Sequence, residues 1–171
     1  MPTATMTVAD RITHLRPCAD AHRWAGCHTD SQVAWDACNR GDWMLWLLGK
    51  LSGAPESDAR KKLVLTCCKC ARLALPHTKD PRVLACIETA ERWSNGQATM
   101  EELKSARSAA AAAYAAAAAY AAYAAAYAAA YAAYAAAYAA YAAAAAKKKV
   151  LNQCAGIVRG DYPTAPVIEV V

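Results

Sequence analysis

The 171-residue sequence contains no phenylalanine, so its large aromatic volume falls to five tryptophans and nine tyrosines. Glycine and proline are scarce, at seven each, which excludes collagen-like and Pro/Gly-rich low-complexity classes. No charge occurs from Ser108 to Ala146. Outside that stretch about one residue in four is charged, as in an ordinary globular domain. Trp, Leu and Cys are too plentiful for a mainly disordered chain. Met1–Met6 carries neither a basic region nor an apolar run, so a secretory signal is not expected. The eight cysteines are then expected as reduced thiols in the cytoplasm of a bacterial host. Net charge is +5, and the basic runs Arg60-Lys61-Lys62 and Lys147-Lys148-Lys149 are short. A nucleic-acid partner is therefore disfavoured.

Helix signals dominate what is present, and no strand pair stands out. The fold class expected is all-α: a small Trp-rich helical bundle with one very long Ala/Tyr C-terminal helix. Pro17 fits a first helical position before Cys18–Gly26. Ser31 reads as the N-cap of Gln32–Asn39. Gly41 reads as a helix stop and Asp42 as the cap of Trp43–Leu51, which makes Arg40-Gly41-Asp42 a boundary rather than an adhesion motif. Gly53-Ala54-Pro55 is a turn before a helix over Glu56–Leu75, with Leu63, Cys67, Cys70 and Ala74 as its apolar stripe. Asp80-Pro81 opens Arg82–Trp93, Asn95-Gly96 closes it, and Thr99 with Glu102 forms a capping box. Gly156, Gly160 and Pro163 are expected to end the helical pattern. Residues 1–98 then form the helical body, 99–159 the long helix of the same domain, packed on the body or projecting from it, and 160–171 an extended tail.

Ala109–Ala146 consists only of Ala and Tyr. Alanine has the highest helix propensity, so the tract should propagate without tertiary help. From Met100 to Ala155 one helix would span on the order of 80 Å, against a body about 30–35 Å across. Tyr120, Tyr123, Tyr127, Tyr131, Tyr134, Tyr138 and Tyr141 fall within an arc of roughly 80°, at a mean spacing of about 3.5 residues. Tyr114 lies off that arc. The seven rings form a ridge, expected to be a contact strip against the body, a second copy or a partner. A membrane span is not expected, because Leu, Ile, Val and Phe are absent from the tract and tyrosine prefers the interface.

The residues offer little chemistry. Cys67 and Cys70 share a helix face, but no second C-x-x-C knuckle completes a zinc site. Cys18 with His22, and Cys27 with His28, are further metal-ligand pairs. Neither a phosphate-binding glycine loop nor a zinc-protease helix occurs, and the four histidines form no nucleophile–base pattern. No catalytic residue, metal or cofactor is assigned. Glu101-Glu102 suits a helix start, and Glu88 with Glu91 a solvated face. Trp24, Trp35, Trp43, Trp46 and Trp93 read as core anchors, with Trp43 and Trp46 flanking Leu47 on one helix face.

Trp35–Leu48 (WDACNRGDWMLWLL) resembles the opening of a family of small bacteriophage and metagenome proteins labelled immunity proteins. Cys70–Pro76 resembles that family's second helix with its proline stop, and Asp80–Arg82 with Cys86–Trp93 its third block. The Ala/Tyr tract and Cys154–Arg159 are also similar to it, so the likeness runs roughly over Ala25–Pro163. It implies a binder or inhibitor and brings no catalytic residues. The function expected is thus a non-enzymatic, immunity-like protein that sequesters or blocks a protein or small signalling molecule. Self-assembly through the tyrosine ridge is the rival reading; ice binding and a metalloenzyme rank below it.

Overall fold

The computed structural model describes residues 6–54, 56–73, 75–77, 80–112 and 132–169. Every regular element among them is helical, and no strand occurs among the described residues. The helices are α1 (Val8–Ile12), α2 (Ala19–Ala25), α3 (Ser31–Ala37), α4 (Gly41–Leu51), α5 (Asp58–Arg72), α6 (Pro81–Ser94), α7 (residues 100–112) and α8 (Ala132–Asp161). Short 3₁₀ turns cover Thr13–Leu15 and Leu75–His77. The all-α expectation holds. Two compact units make up the chain, one of Met1–Leu63 with Leu151–Val171 and one of Val64–Val150, with boundaries inside α5 and α8.

In the first unit, α1 was not foreseen from the sequence. Thr7 and Asp10 start it with a capping box, Thr7 N donating to Asp10 Oδ2 at 2.7 Å and Asp10 N to Thr7 Oγ1 at 3.3 Å. Such reciprocal bonds satisfy orphan donors of a first turn. Val8, Ala9 and Ile12 then bury against Ala25 of α2 and Ala34 of α3, with Trp24, Leu47 and Ile168 at the cluster's edge. Arg11 staples the turn before α3, donating to Ser31 Oγ at 2.9 Å and to Thr29 O at 3.0 Å.

Four boundary expectations need correction. Pro17 precedes the N-cap Cys18 rather than opening α2. Asp30, not Ser31, caps α3, accepting from Val33 N at 2.8 Å. Gly41 does not stop a helix; it begins α4, and Asp42 lies inside it. The reason is packing: a Cβ on Gly41 would sit 2.4 Å from Cys154 Cβ and 2.7 Å from Ala155 N. Gly156 and Gly160 likewise do not end α8, which runs through both to Asp161. Ala155 and Val158, each fully buried, hold that segment in place. Burying a valine side chain contributes roughly 1.5–3 kcal/mol, enough to offset the cost of two helix-interior glycines at about 1 kcal/mol each. The helix ends where Pro163 disfavours helical geometry at Tyr162.

The second unit contains most of α5, with α6 and α7. Of the expected α5 stripe, Leu63 and Cys70 are buried, Cys67 is half-buried and Ala74 lies outside the described residues; Thr66 and Cys68 are buried as well. Cys68 points inward, and its thiol donates to Ile87 O at 3.8 Å. α6 buries Ile87, Thr89 and Trp93. Asp80 caps it as expected, with Pro81 in the first turn. Asn95 and Gly96 (φ +74°) close it. The Thr99–Glu102 capping box is formed, with Thr99 N donating to Glu102 at 2.6 Å. Glu88 is exposed, and Glu91 on the same face holds Arg72 in a solvent-facing two-point ion pair at 2.9 and 2.7 Å.

Candidate functional site

α4 carries the pattern that builds the site. Met44 and Leu48 take its deepest positions. Trp43, Trp46 and Leu47 sit beside them, half-buried. Together with Trp24 and Trp35 they wall a cavity of about 70 Å³ in the first unit. Val8, Ile12 and Ala34 form its floor side, and Ala165, Pro166 and Ile168 close another side. Four of the five tryptophans thus meet at one recess. Trp93 is the exception, buried in the other unit.

The lining carries no carboxylate, amine, guanidine or imidazole. Two of its polar side chains are engaged: Ser31 Oγ accepts from Arg11 at 2.9 Å, and the Trp35 indole N–H donates to Tyr162 O at 2.8 Å. The Cys38 thiol donates to Arg40 O at 3.7 Å, and burial pushes its pKa up, so it stays neutral. A charged group entering this recess would lose hydration without compensation. The recess accepts apolar, uncharged groups. Small-molecule sites run roughly 300–1,000 Å³, so this one is scaled to a side chain or a single ring.

A charged rim lies at its mouth. Arg40 stacks 4.1 Å over the Trp43 ring and pairs with Asp42 at 2.8 and 2.7 Å. The guanidinium holds the Asp42 carboxyl below the usual range. Trp43 in turn meets Trp24 at 6.0 Å, and Trp24 meets His28 at 4.4 Å. His28 Nδ1 lies 3.1 Å from Trp24 O. With both charges of Arg40-Gly41-Asp42 spent on each other and Gly41 buried, the tripeptide is not displayed as an adhesion loop.

The segment after α8 is the least expected part. Residues 162–169 form no helix or strand, yet side chains of α3 hold their backbone. Gln32 Nε2 donates to Pro163 O at 3.0 Å, and Gln32 Oε1 accepts from Ala165 N at 2.7 Å. Asp36 Oδ1 accepts the second Nε2 proton at 3.0 Å, which fixes which way the amide faces. Lys62 sits 4.3 Å over the Tyr162 ring. Arg159, in the last turn of α8, donates to Cys38 O.

Of the expected contact residues, Tyr120, Tyr123, Tyr127 and Tyr131 lie outside the described residues. Tyr134, Tyr138 and Tyr141 fall on α8, of which only the backbone is described there. Among the described residues, no group of three or more His, Cys, Asp or Glu gathers for a metal ion, and no helix is long and apolar enough to cross a membrane. Cys18 and Cys27 are exposed, and His22 Nε2 lies 3.1 Å from Thr13 Oγ1. The site residues that sequence reasoning missed are Gln32 and the segment Tyr162–Ile168. The signal was present as Pro163-Thr164-Ala165-Pro166, a Pro-x-x-Pro run downstream of a tryptophan cluster. No family model matches the chain, and no curated protein or solved structure matches it.

Proposed function

We propose that this chain acts by binding and without turnover, as an immunity-like protein of phage or mobile-element origin that blocks or sequesters a partner. The observation that carries the reading is the uncharged, four-tryptophan recess, scaled to one apolar side chain. Tryptophan-walled pockets of that size act as anchor points in protein interfaces, where a few buried groups supply most of the affinity. The resemblance of Trp35–Leu48 to phage immunity proteins supports the origin. Affinity capture from bacterial lysate tests the reading, comparing the wild-type chain with Ala34→Leu, which fills the recess. A partner retained by the first and lost by the folded variant supports it. Recovery of no such partner, with no co-purifying small molecule by mass spectrometry, overturns it.

A second reading rests on the tyrosine spacing. Continued as one helix, α7, the Ala/Tyr tract and α8 would carry Tyr120, Tyr123, Tyr127, Tyr131, Tyr134, Tyr138 and Tyr141 as one ridge with coiled-coil period. Alanine between the rings lets a second helix approach closely, which favours self-association. Sedimentation velocity decides it. A concentration-dependent assembly that weakens in Tyr127→Ala/Tyr134→Ala supports the ridge as an interface, and a monomer at all concentrations removes it.

A further inference from the structure

The tail is held in a way that a merely trailing segment does not need. A chain with two closely spaced prolines has φ fixed near −65° at each and makes no internal ladder, so its backbone groups face outward. Here successive groups are each read by a side chain. The Trp35 indole takes the carbonyl of Tyr162, and the Gln32 amide takes the carbonyl of Pro163 and the N–H of Ala165. Asp36 uses the remaining Gln32 donor, so the amide has one orientation and is set before the tail arrives. Main-chain bonds of this sort supply affinity, and apolar pockets supply selectivity. The pockets are present: Ala165, Pro166 and Ile168 face the tryptophan recess, with Ile168 at the core cluster's edge. On its other flank the tail borders a more open recess of about 370 Å³ beside Arg11 and Asp30. The segment is therefore seated as a ligand is, with space on two sides.

We infer that α3 and the tryptophan recess form a groove for extended, uncharged Pro-x-x-Pro segments, and that the chain's own residues 162–168 occupy it in cis. The inference rests on the binding reading above and names the chemistry of the partner: a segment with prolines three apart and a branched apolar residue two positions after the second. The cis tail sets the threshold, because an incoming segment binds only the fraction of molecules whose groove is open.

The test uses a fluorescein-labelled peptide of residues 162–169 and fluorescence anisotropy on full-length chains. Ile168→Asp loosens the cis tail and leaves Gln32, Asp36 and the four tryptophans of the groove unchanged. The peptide is expected to bind this variant about tenfold or more tightly than the wild type. Gln32→Leu in the Ile168→Asp background should remove about tenfold of that affinity, as should replacing both prolines of the peptide by alanine. Ala165→Pro, which deletes the N–H that Gln32 accepts, serves as a second opening variant if Ile168→Asp does not fold. The inference fails if a folded opening variant binds the peptide no better than wild type, or if the Gln32 or proline changes have no effect. If the peptide fails while the lysate partner is still lost by Ala34→Leu, the groove falls and the binding reading stands. Tight peptide binding with no lysate partner does the reverse.

Discussion

At the scale of single residues, Gly41 is the most tightly packed glycine of the first unit. Its missing side chain lets α4 start directly against α8, with Cys154 Cβ only 2.4 Å from where its own Cβ would be. Backbone atoms of Cys154 and Ala155 are also within 2.8 Å of that point, so no flexible group can yield. Gly41→Ala is expected to destabilise the chain by about 1–3 kcal/mol, the usual range for overpacking, visible as a lower urea midpoint. An unchanged midpoint would show that the two helices part easily. Asp80 acts through charge rather than space. Its carboxylate accepts from the Arg82 side chain and backbone N–H, which lowers its pKa from 3.8 to about 2. A pKa depressed in the folded state gives stability that is present above the unfolded pKa and lost as pH falls through the folded one. The window is therefore about pH 4 down to about 2. Asp80→Asn keeps a capping acceptor and removes the titration. Its melting temperature should be lower than wild type near neutrality and converge on it at about pH 2. Both carboxylate and guanidinium are solvent-facing, so the difference should shrink in about 1 M salt.

At the scale of elements, α8 shows how tertiary burial overrides local propensity. Gly156 and Gly160 lie on an exposed face, and a Cβ on either would meet no atom within 4 Å. They weaken a helix that Ala155 and Val158 hold from the opposite face. Gly156→Ala and Gly160→Ala are each expected to stabilise by about 0.5–1 kcal/mol, additively to a first approximation, with higher denaturant midpoints. A loss of stability would mean that the end of α8 needs glycine for a reason other than space. The same helix marks how far the sequence could be read. Where a cap residue and its partner are both local, as at Asp80-Pro81 and Thr99–Glu102, the elements were legible. Where the deciding contact is remote they were not. Gly41 looks like a terminator until Cys154, 113 residues on, is placed beside it. Thr7–Asp10 was legible in principle, since its box is local, but α1 is only five residues long and offers little periodicity. Of the five tryptophans read as core anchors, Trp35 and Trp93 are buried while Trp24, Trp43 and Trp46 are half-buried, and the convergence of four of them on one recess depends on the tail returning across α3. No local pattern reports that return.

At the scale of the whole molecule, the cysteines report how evenly the chain is closed. No disulfide joins any of the eight. Cys18 and Cys27 are exposed, whereas Cys38 and Cys154 are buried in the first unit and Cys68 and Cys70 in the second. Burial raises the Cys38 thiol and pushes Cys68 up to about 11, with Glu91 adding to the effect there. Since the thiolate is the nucleophile, at about pH 8 only on the order of one Cys68 in a thousand is ionised even before access is considered. Brief alkylation with iodoacetamide, mapped by mass spectrometry, should therefore modify Cys18 and Cys27 first and spare the four buried thiols until denaturant is added. Labelling of Cys38 or Cys68 as fast as Cys18 in the native protein would contradict the packing described above. In mild denaturant the same thiols become separate reporters, because buried groups react only when the structure around them opens. Cys154 packs directly at Gly41 and the Cys38 thiol bonds to the carbonyl of the preceding Arg40, so Gly41→Ala should accelerate their labelling together. Cys68, held by its bond to Ile87 O, should be accelerated less if that variant loosens only the first unit. Equal acceleration of all four would instead show that the chain opens as one cooperative body.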